Sequence, residues 1–306
     1  MGQEMAGDRI YRENTGAVIV TYNPDPGLDE RLDKVREQVC AVLIVDNASY
    51  EAREMIERCA ALETVDCIWN QTNLGLATAL NQGVEWAGRK QLKWLLTLDQ
   101  DTVLNERAVE VLSEAFDDCG AKDKVAIVGG NYVDRLTGVP FIPTLAEDGC
   151  KWIDVPTVIT SGSVLSLEAA EVVGPFRDDF FIDEIDDEYC LRCRREGFRV
   201  ILSREPVMEH TIGYPRYYRF LWKKLISPGL SPLRRYYRHR NHVVMIREYR
   251  RLEPGWVKFS INVRLKELIL VALLERGRVS KLWYALRGIV DGMIGRMGSR
   301  EVRSSK

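Results

Sequence analysis

The sequence lacks an apolar run long enough to cross a membrane. The longest uncharged stretch near its C-terminus is 268-LILVALL-274, closed by Glu267 and Glu275. A spanning helix needs roughly 18–20 such residues. Residues 1–15 are polar and carry no apolar core of a secretory signal, so no leader is expected. Paired cysteine spacing is missing too. The seven cysteines (Cys40, Cys59, Cys67, Cys119, Cys150, Cys190 and Cys193) are odd in number and scattered. That argues against a disulfide framework and for a reducing, cytoplasmic setting. Cys190-x-x-Cys193 has no second Cys or His pair of matching spacing, which argues against a structural zinc site. No internal repeat and no low-complexity tract is visible. What is present is ordinary for a chain with a real core, 46% hydrophobic and 29% charged.

The net charge of −2 conceals an asymmetry. Residues 1–214 hold 21 Lys+Arg against 39 Asp+Glu, and residues 215–306 hold 22 against 6. An acidic domain followed by a basic region suggests an anionic surface or partner for the latter. Residues 16–130 alternate short β-rich runs (17-AVIVTY-22, 41-AVLIVDN-47, 66-DCIWN-70, 94-WLLTLD-99, 125-VAIVGG-130) with helical stretches over 28–39, 50–62, 76–87 and 106–116. Uniformly apolar strands between amphipathic helices predict an α/β fold with a mainly parallel sheet covered on both faces. Residues 157–160 read as a strand, 167–174 as a short helix, and 180–197 as a helix ended by Gly197. After Tyr214 the pattern turns to helical segments rich in Tyr, Trp and Arg. The expected division is 1–214 and 215–306.

Ligands of such sheets bind at the carboxyl ends of the strands. The polar residues there are Thr21, Tyr22 and Asn23, then Asp46 and Asn47, Asn70, and Asp99 to Asp101. Asp99 and Asp101 in one turn can surround a hard cation on a phosphate; two solvated loop acids are the plainer reading. In 73-NLGLATALNQG-83, small residues would let a ligand or another backbone come close, although the pattern is not a GxGxxG phosphate loop. Asp183, Glu184, Asp186, Asp187 and Glu188 crowd five acids into six positions. Mutual repulsion should raise at least one pKa, which suits a general base; an exposed acidic helix start is equally consistent. His210 follows an apolar approach and reads as a structural histidine or as a metal or phosphate ligand.

In order along the chain, 20-VTYNPD-25, 45-VDNAS-49, 73-NLGLATALNQG-83, 98-LDQDT-102, 160-TSGSVLS-166, 180-FFIDEIDDEYCLR-192, 209-EHTIG-213 and 233-LRRYYRHRN-241 resemble the inverting family 2 glycosyltransferases of GT-A fold. Within that family they are most similar to the bacterial rhamnosyltransferases. The resemblance spans about residues 16–245. It implies a Rossmann-like mixed sheet with a C-terminal helical extension. It implies a nucleotide-sugar donor, dTDP-rhamnose first among them, with Mg²⁺ or Mn²⁺. Thr21, Tyr22 and Asn23 would line the nucleotide pocket, with Asp46 reading the base and Asn47 nearby. Asn73 and Gly75 would meet the nucleotide-sugar side. Asp99-Gln100-Asp101 takes the family's D-x-D place, Asp101 on the metal and Asp99 on ribose or metal. His210 would assist, and Arg240 and Asn241 would close over the diphosphate. Asp186 matches the catalytic base, with Asp187 and Glu188 on the acceptor side. The directly adjacent Asp187 departs from the family pattern and competes for the base role.

The acceptor implied is a hydroxyl of a cell-surface polysaccharide or a polyprenyl-linked glycan. The segment 216–251 mixes aromatics with arginines, and 256–275 has the pattern of an amphipathic helix. That composition suits nucleic acid and equally an anionic membrane interface; the resemblance, with its polyprenyl-linked acceptors, points to peripheral docking at the inner face of the plasma membrane and not to nucleic acid. A helical lid on the catalytic domain and a homo-oligomer interface are the competing readings. Two other classes fit parts of the sequence. DQDTV also matches the first motif of haloacid-dehalogenase-like phosphatases, with Asp99 as nucleophile, although that motif normally begins the domain. A non-catalytic nucleotide- or carbohydrate-binding module would keep the pocket without a working base.

Overall fold

The computed structural model describes residues 9–120, 124–144, 149–210, 216–220, 223–227 and 229–299. Two compact units divide the chain, Met1–Phe176 with Tyr189–His210, and Arg177–Glu188 with Thr211–Lys306. The boundary expected at residue 214 thus lies near 210, and the second unit also takes in the segment that carries most of the acidic run.

In the first unit, β1 (Thr15–Thr21), β2 (Ala41–Asp46), β3 (Val65–Trp69) and β4 (Trp94–Asp99) are the expected strands. Between them run α1 (Leu28–Arg36), α2 (Arg53–Ala60) and α3 (Leu76–Arg89). β3–β2–β1–β4 pair in parallel. The unbroken apolar character of β1, β2 and β4 follows from burial on both faces: Val18, Leu43, Ile44 and Leu96 are inaccessible, while β3 at the edge is half-buried. After β5 (Val103–Leu104) and α4 (Ala108–Asp118) come β6 (Val125–Asp134), β7 (Trp152–Asp154), β8 (Ser163–Ser166), α5 (Leu167–Val173), α6 (Ile185–Arg195), whose first turn counts with the second unit, and β9 (Arg199–His210). Among the described residues the sheet has nine strands in the order β3-β2-β1-β4-β8-β6-β9-β5, with β7 beside β9. β8 runs antiparallel to both β4 and β6, so the sheet is mixed. Residues 157–160 are not a strand. β7 stops at Asp154, before Pro156, which has no N–H to give to a ladder. α5 begins where Ser166 Oγ accepts from Ala169 N at 3.2 Å, an N-cap.

Register does the work of assembly. Thr21 pairs with Asp46 across β1 and β2, and Val20 with Asp99 across β1 and β4, so three strand ends finish level. β5 pairs Val103 with Glu209, next to the end of β9. This antiparallel step brings the Asp99–Asp101 turn up against His210.

The second unit starts its described part with a hairpin, β10 (Arg216–Phe220) against β11 (Lys223–Ser227). The segment was expected to be helical. Its Tyr, Phe, Leu and Ile content is what a strand prefers. Three helices follow, α7 (Pro232–Tyr249), α8 (Pro254–Leu274) and α9 (Arg278–Met293). Pro232 at the start of α7 follows Ser231, whose Oγ caps Arg234 N at 3.2 Å. α9 lies close on α7. A Cβ at Gly288 would stand 2.3 Å from the Tyr236 carbonyl oxygen, and one at Gly292 2.5 Å from that of Arg240.

Candidate active site

Asp46 ends β2 fully buried. A buried carboxylate needs donors, and local chain geometry supplies them. Thr21 Oγ1 donates to its Oδ1 at 3.0 Å, Ser49 N to its Oδ2 at 2.9 Å, and Ser49 Oγ also bonds Oδ1. Ser49 Oγ in turn accepts from Asn23 N at 2.7 Å, and Asn23 Oδ1 accepts from Tyr50 N and Glu51 N at 2.9 and 3.1 Å. Asn23 adopts a left-handed φ of 46°, a conformation asparagine tolerates. Thr21, Asn23 and Asp46 therefore form one knit corner at the strand ends. Tyr22 projects from it, 49% exposed, with a surface free for stacking on a flat ring. Asn47 Nδ2 donates to the Gly75 carbonyl at 3.2 Å, and Asn70 Nδ2 to Asn47 Oδ1 at 2.9 Å. Asn73 Oδ1 accepts from Gly75 N at 2.9 Å, and Gly75 precedes α3 with a φ of 87° that only glycine adopts easily. Farther along α3, Gly83 makes room for a β1 side chain: a Cβ there would lie 2.8 Å from Val18 Cγ2.

Gln100 is a strap. Its Oε1 accepts from Tyr22 N at 2.7 Å and its Nε2 donates to Tyr22 O at 3.3 Å, tying the ends of β1 and β4. Ser161 supports the next turn, its Oγ accepting from Asp99 N at 3.1 Å and bonding Thr102 Oγ1. Beyond this strap stand Asp99, Asp101 and His210, whose ligating atoms lie within 4.8 Å of one another. Two carboxylates and an imidazole are a donor set for a divalent cation. Ligands on one Mg²⁺ or Mn²⁺ are at most about 4.2 Å apart at bond lengths near 2.1 Å, so a small closure brings these three into range. His210 is 9% exposed, and burial outweighs the nearby Asp101 to hold its pKa below the ordinary histidine value. The Tyr132 ring meets it edge-on at 5.7 Å. A neutral ring keeps a lone pair for a metal.

Arg135 is a neighbour that spacing did not signal. Its Nη2 donates to the Asp101 carbonyl at 2.9 Å. It arrives through the parallel pairing of β6 with β9, which matches Asp134 to His210. Nothing local in the sequence announces that register.

The acidic run lies in the second unit. Phe181, Asp183 and Glu184 all hold left-handed φ values of 63–64°, a strained set for residues other than glycine. Asp186 follows at the first turn of α6, half-buried, its Oδ1 accepting from Asp187 N at 3.0 Å. Burial, and after it the charges of Glu184 and Asp183, push its pKa up to about 6. Glu188 is buried at 2% exposure and accepts from Tyr249 Oη at 3.0 Å, so it is a support rather than an open acceptor-side group. Glu184 is likewise internal. Burial would raise its pKa, yet Arg264 and His242 bring it down to about 2.

Arg240 and Asn241 spend donors within the second unit. Both are fully buried on α7. Asn241 Nδ2 lies 3.1, 3.0 and 2.9 Å from the carbonyls of Phe180, Ile182 and Asp183. Arg240 Nη2 donates at 2.9 Å to those of Asp179 and Phe180, and its Nε at 3.0 Å to Asn241 Oδ1. Their donors hold the strained segment before Asp186 instead of facing a diphosphate. Residues 211–213 of the EHTIG motif lie outside the described residues.

Known proteins agree with this architecture. The profile of "Glycosyl transferase family 2" matches residues 17–174. The chain is also 31% identical over 307 aligned residues to the "dTDP-rhamnosyl transferase RfbF" of Shigella flexneri, covering 93% of this chain and 97% of that protein. The chain belongs to glycosyl transferase family 2. Two crystal structures of TarS from S. aureus share the fold. Its 1–349 form superposes with a TM-score of 0.58 at 13% identity over 91% of this chain and 80% of that one. The longer form gives 0.52 at 14%, over 91% and 54%. The mixed sheet with C-terminal helices is thus the GT-A-type fold of this glycosyltransferase, and family membership displaces the phosphatase and pure binding-module readings.

Proposed function

We propose that this family 2 transferase moves L-rhamnose from dTDP-β-L-rhamnose to an acceptor hydroxyl with inversion. The observation that carries the donor assignment is the 31% identity, along nearly the whole chain, to a dTDP-rhamnosyl transferase. A divalent cation held by Asp101, Asp99 and His210 would offset charge on the leaving diphosphate. The chain's own residues divide the rest. The corner of Thr21, Asn23 and Asp46, with Tyr22 beside it, receives the base and ribose. Asn47, Asn73 and Gly75 shape the sugar-nucleotide side. Arg135 adds fixed positive charge beside the Asp101 turn. Asp186 takes the proton of the acceptor hydroxyl as its oxygen bonds the anomeric carbon. The bond from that carbon to the diphosphate oxygen breaks with its electron pair, and dTDP leaves.

The acceptor class that fits a chain with a strongly basic C-terminal region is a glycan on a polyprenyl lipid, met at an anionic membrane face. Among the described residues no helix is long and apolar enough to cross a membrane, so such contact would be peripheral. The donor is tested by a panel of nucleotide sugars with Mg²⁺ or Mn²⁺, following release of free nucleotide. Release from dTDP-rhamnose well above that from UDP- and GDP-sugars is expected. Turnover of a UDP-sugar with none of dTDP-rhamnose would overturn the assignment.

A further inference from the structure

The second unit buries ion pairs among its apolar side chains and exposes many large apolar ones. Eleven of the twenty large apolar side chains exposed among the described residues fall between 254 and 299. On α8 these include Phe259 (68%), Ile269 (57%) and Leu273 (63%), and on α9 Val279 (78%), Trp283 (50%) and Leu286 (61%). The inward face of α8 instead carries Ser260 and Glu267 beside Trp256, Val257 and Val271. On α9 the exposed apolar positions 279, 283, 286, 290 and 293 step by four and three, one continuous stripe along the helix. The face toward α7 is made of Ala285, Gly288 and Gly292.

Charge on this surface has one sign. The acids of residues 254–299 are Glu267, Glu275 and Asp291, exposed by only 5, 4 and 3%. Lys258, Lys266, Arg276, Arg278, Arg287 and Arg296 are exposed. Arg287 stands 5.1 Å over the Trp283 ring, an aromatic and a cation presented together. By contrast, the arginine- and tyrosine-rich α7, whose composition first suggested an anionic partner, is mostly internal. Arg235, Tyr236, Tyr237, His239, Arg240 and His242 are all buried.

We propose that the outer surface of α8 and α9, with Trp283 and Leu286 as apolar anchors and Arg278 and Arg287 among its cations, docks on an anionic lipid bilayer. Apolar side chains enter the headgroup boundary while the flanking cations meet lipid phosphates. A second copy of the chain is the weaker occupant. Isologous pairing would set these cations against their own kind with no exposed acid on the same surface to answer them. The inference deepens the membrane part of the proposed function and is read out without any turnover.

The test is flotation of the full chain with vesicles of phosphatidylcholine containing about one-third phosphatidylglycerol, against pure phosphatidylcholine, at physiological salt. The wild type is compared with Trp283→Ser/Leu286→Ser and with Arg278→Glu/Arg287→Glu. All four positions are exposed, so folding should persist and is checked by circular dichroism. Binding to anionic vesicles only is expected, with a loss of about 100-fold in partitioning for the charge reversals and a clear loss for the serine variant. Slow dTDP release from dTDP-rhamnose to water should stay at wild-type level in both. No flotation of the wild type, or flotation unaffected by either variant, overturns the docking surface while leaving the transfer reading intact. A dimer that dissociates in the serine variant, without vesicle binding, assigns the surface to a second copy and overturns the proposal.

Discussion

At the scale of single residues, the decisive group is Asp186. Desolvation, and after it the charges of Glu184 and Asp183, push its half-buried carboxyl up to about 6, above an ordinary aspartate. A base must be ionised to act, so the rate of transfer should rise with pH through about 6 and then level, in a pH profile measured at saturating donor. Asp186→Asn should abolish transfer and keep dTDP binding by calorimetry; retained transfer would hand the role to Asp187. The same shift acts on stability. Because the folded pKa is raised, the contribution of Asp186 to stability is fully present below its unfolded value and is lost as pH rises through about 6. The asparagine variant should therefore melt higher than the wild type at pH 8, by about a few degrees, with the gap closing toward pH 4. The five-acid pattern made this group legible in the sequence as one candidate among several. Spacing did not say which acids were already paired. Glu184 with Arg264 and His242, and Glu188 with Tyr249, are settled by partners 58 or more positions away.

At the scale of elements, legibility follows locality. β1, β2 and β4 show in the sequence because burial on both faces forces unbroken apolar runs, and half-buried β3 shows as a short β-rich run between two helices. The family resemblance put Asp99, Asp101 and His210 together on the metal, but no local pattern shows that they meet, since the pairing of β5 with β9 joins residues about a hundred positions apart. The hairpin β10–β11 was read as helix because aromatic and basic residues carry no clear period. α8 was recognised as a helix, but periodicity does not state which face turns inward. The segment from Asp179 to Glu184 is the clearest case of a local shape set from afar. Its three left-handed residues cost energy, of order 1–3 kcal/mol each, and α7 holds them through Asn241 and Arg240. Asn241→Ala should let this segment relax and displace Asp186. The expected result is a fall in kcat of about tenfold or more with little change in donor KM, and a shift of the kinetic pKa toward the ordinary aspartate value. Asn241→Asp, which removes the donors but keeps the size, should behave like alanine. A variant that raised only the donor KM would restore Asn241 to the diphosphate.

At the scale of the whole molecule, the two units are stabilised by different means. The first has an apolar interior of strand and helix side chains, and its ion pairs lie outside. Arg53–Glu57 and Arg89–Glu85, both largely exposed, are worth at most about 0.5 kcal/mol each. The second unit buries its ions. Arg235, inaccessible, donates at 2.7 Å both to Glu267 on α8 and to Glu275 just past its end; Glu275 also takes bonds from Lys281 on α9 and Ser227 on β11. Glu275 thereby joins the hairpin and all three helices. Burial opposes its ionisation, but Lys281, Ser227 and Arg235 more than compensate and hold its pKa below the ordinary glutamate value. Replacing Glu275 with alanine would strand Arg235 and Lys281 without their shared partner, and breaking such a buried network by removing one member costs about 3–5 kcal/mol. Glu57→Ala on the surface of α2 serves as the control and should change little. Calorimetric melting of the two variants distinguishes the cases: a large downward shift for Glu275→Ala alone is expected, and equal small shifts would show that the network contributes no more than a surface pair. Acid should act on the same unit. Glu184, held near 2, and Glu275 both have depressed pKa values, so their stabilisation is present above the unfolded carboxylate range and is lost as pH falls toward 2. Tryptophan fluorescence of the full chain between pH 5 and pH 2 should then show a transition that Glu275→Ala shifts to higher pH.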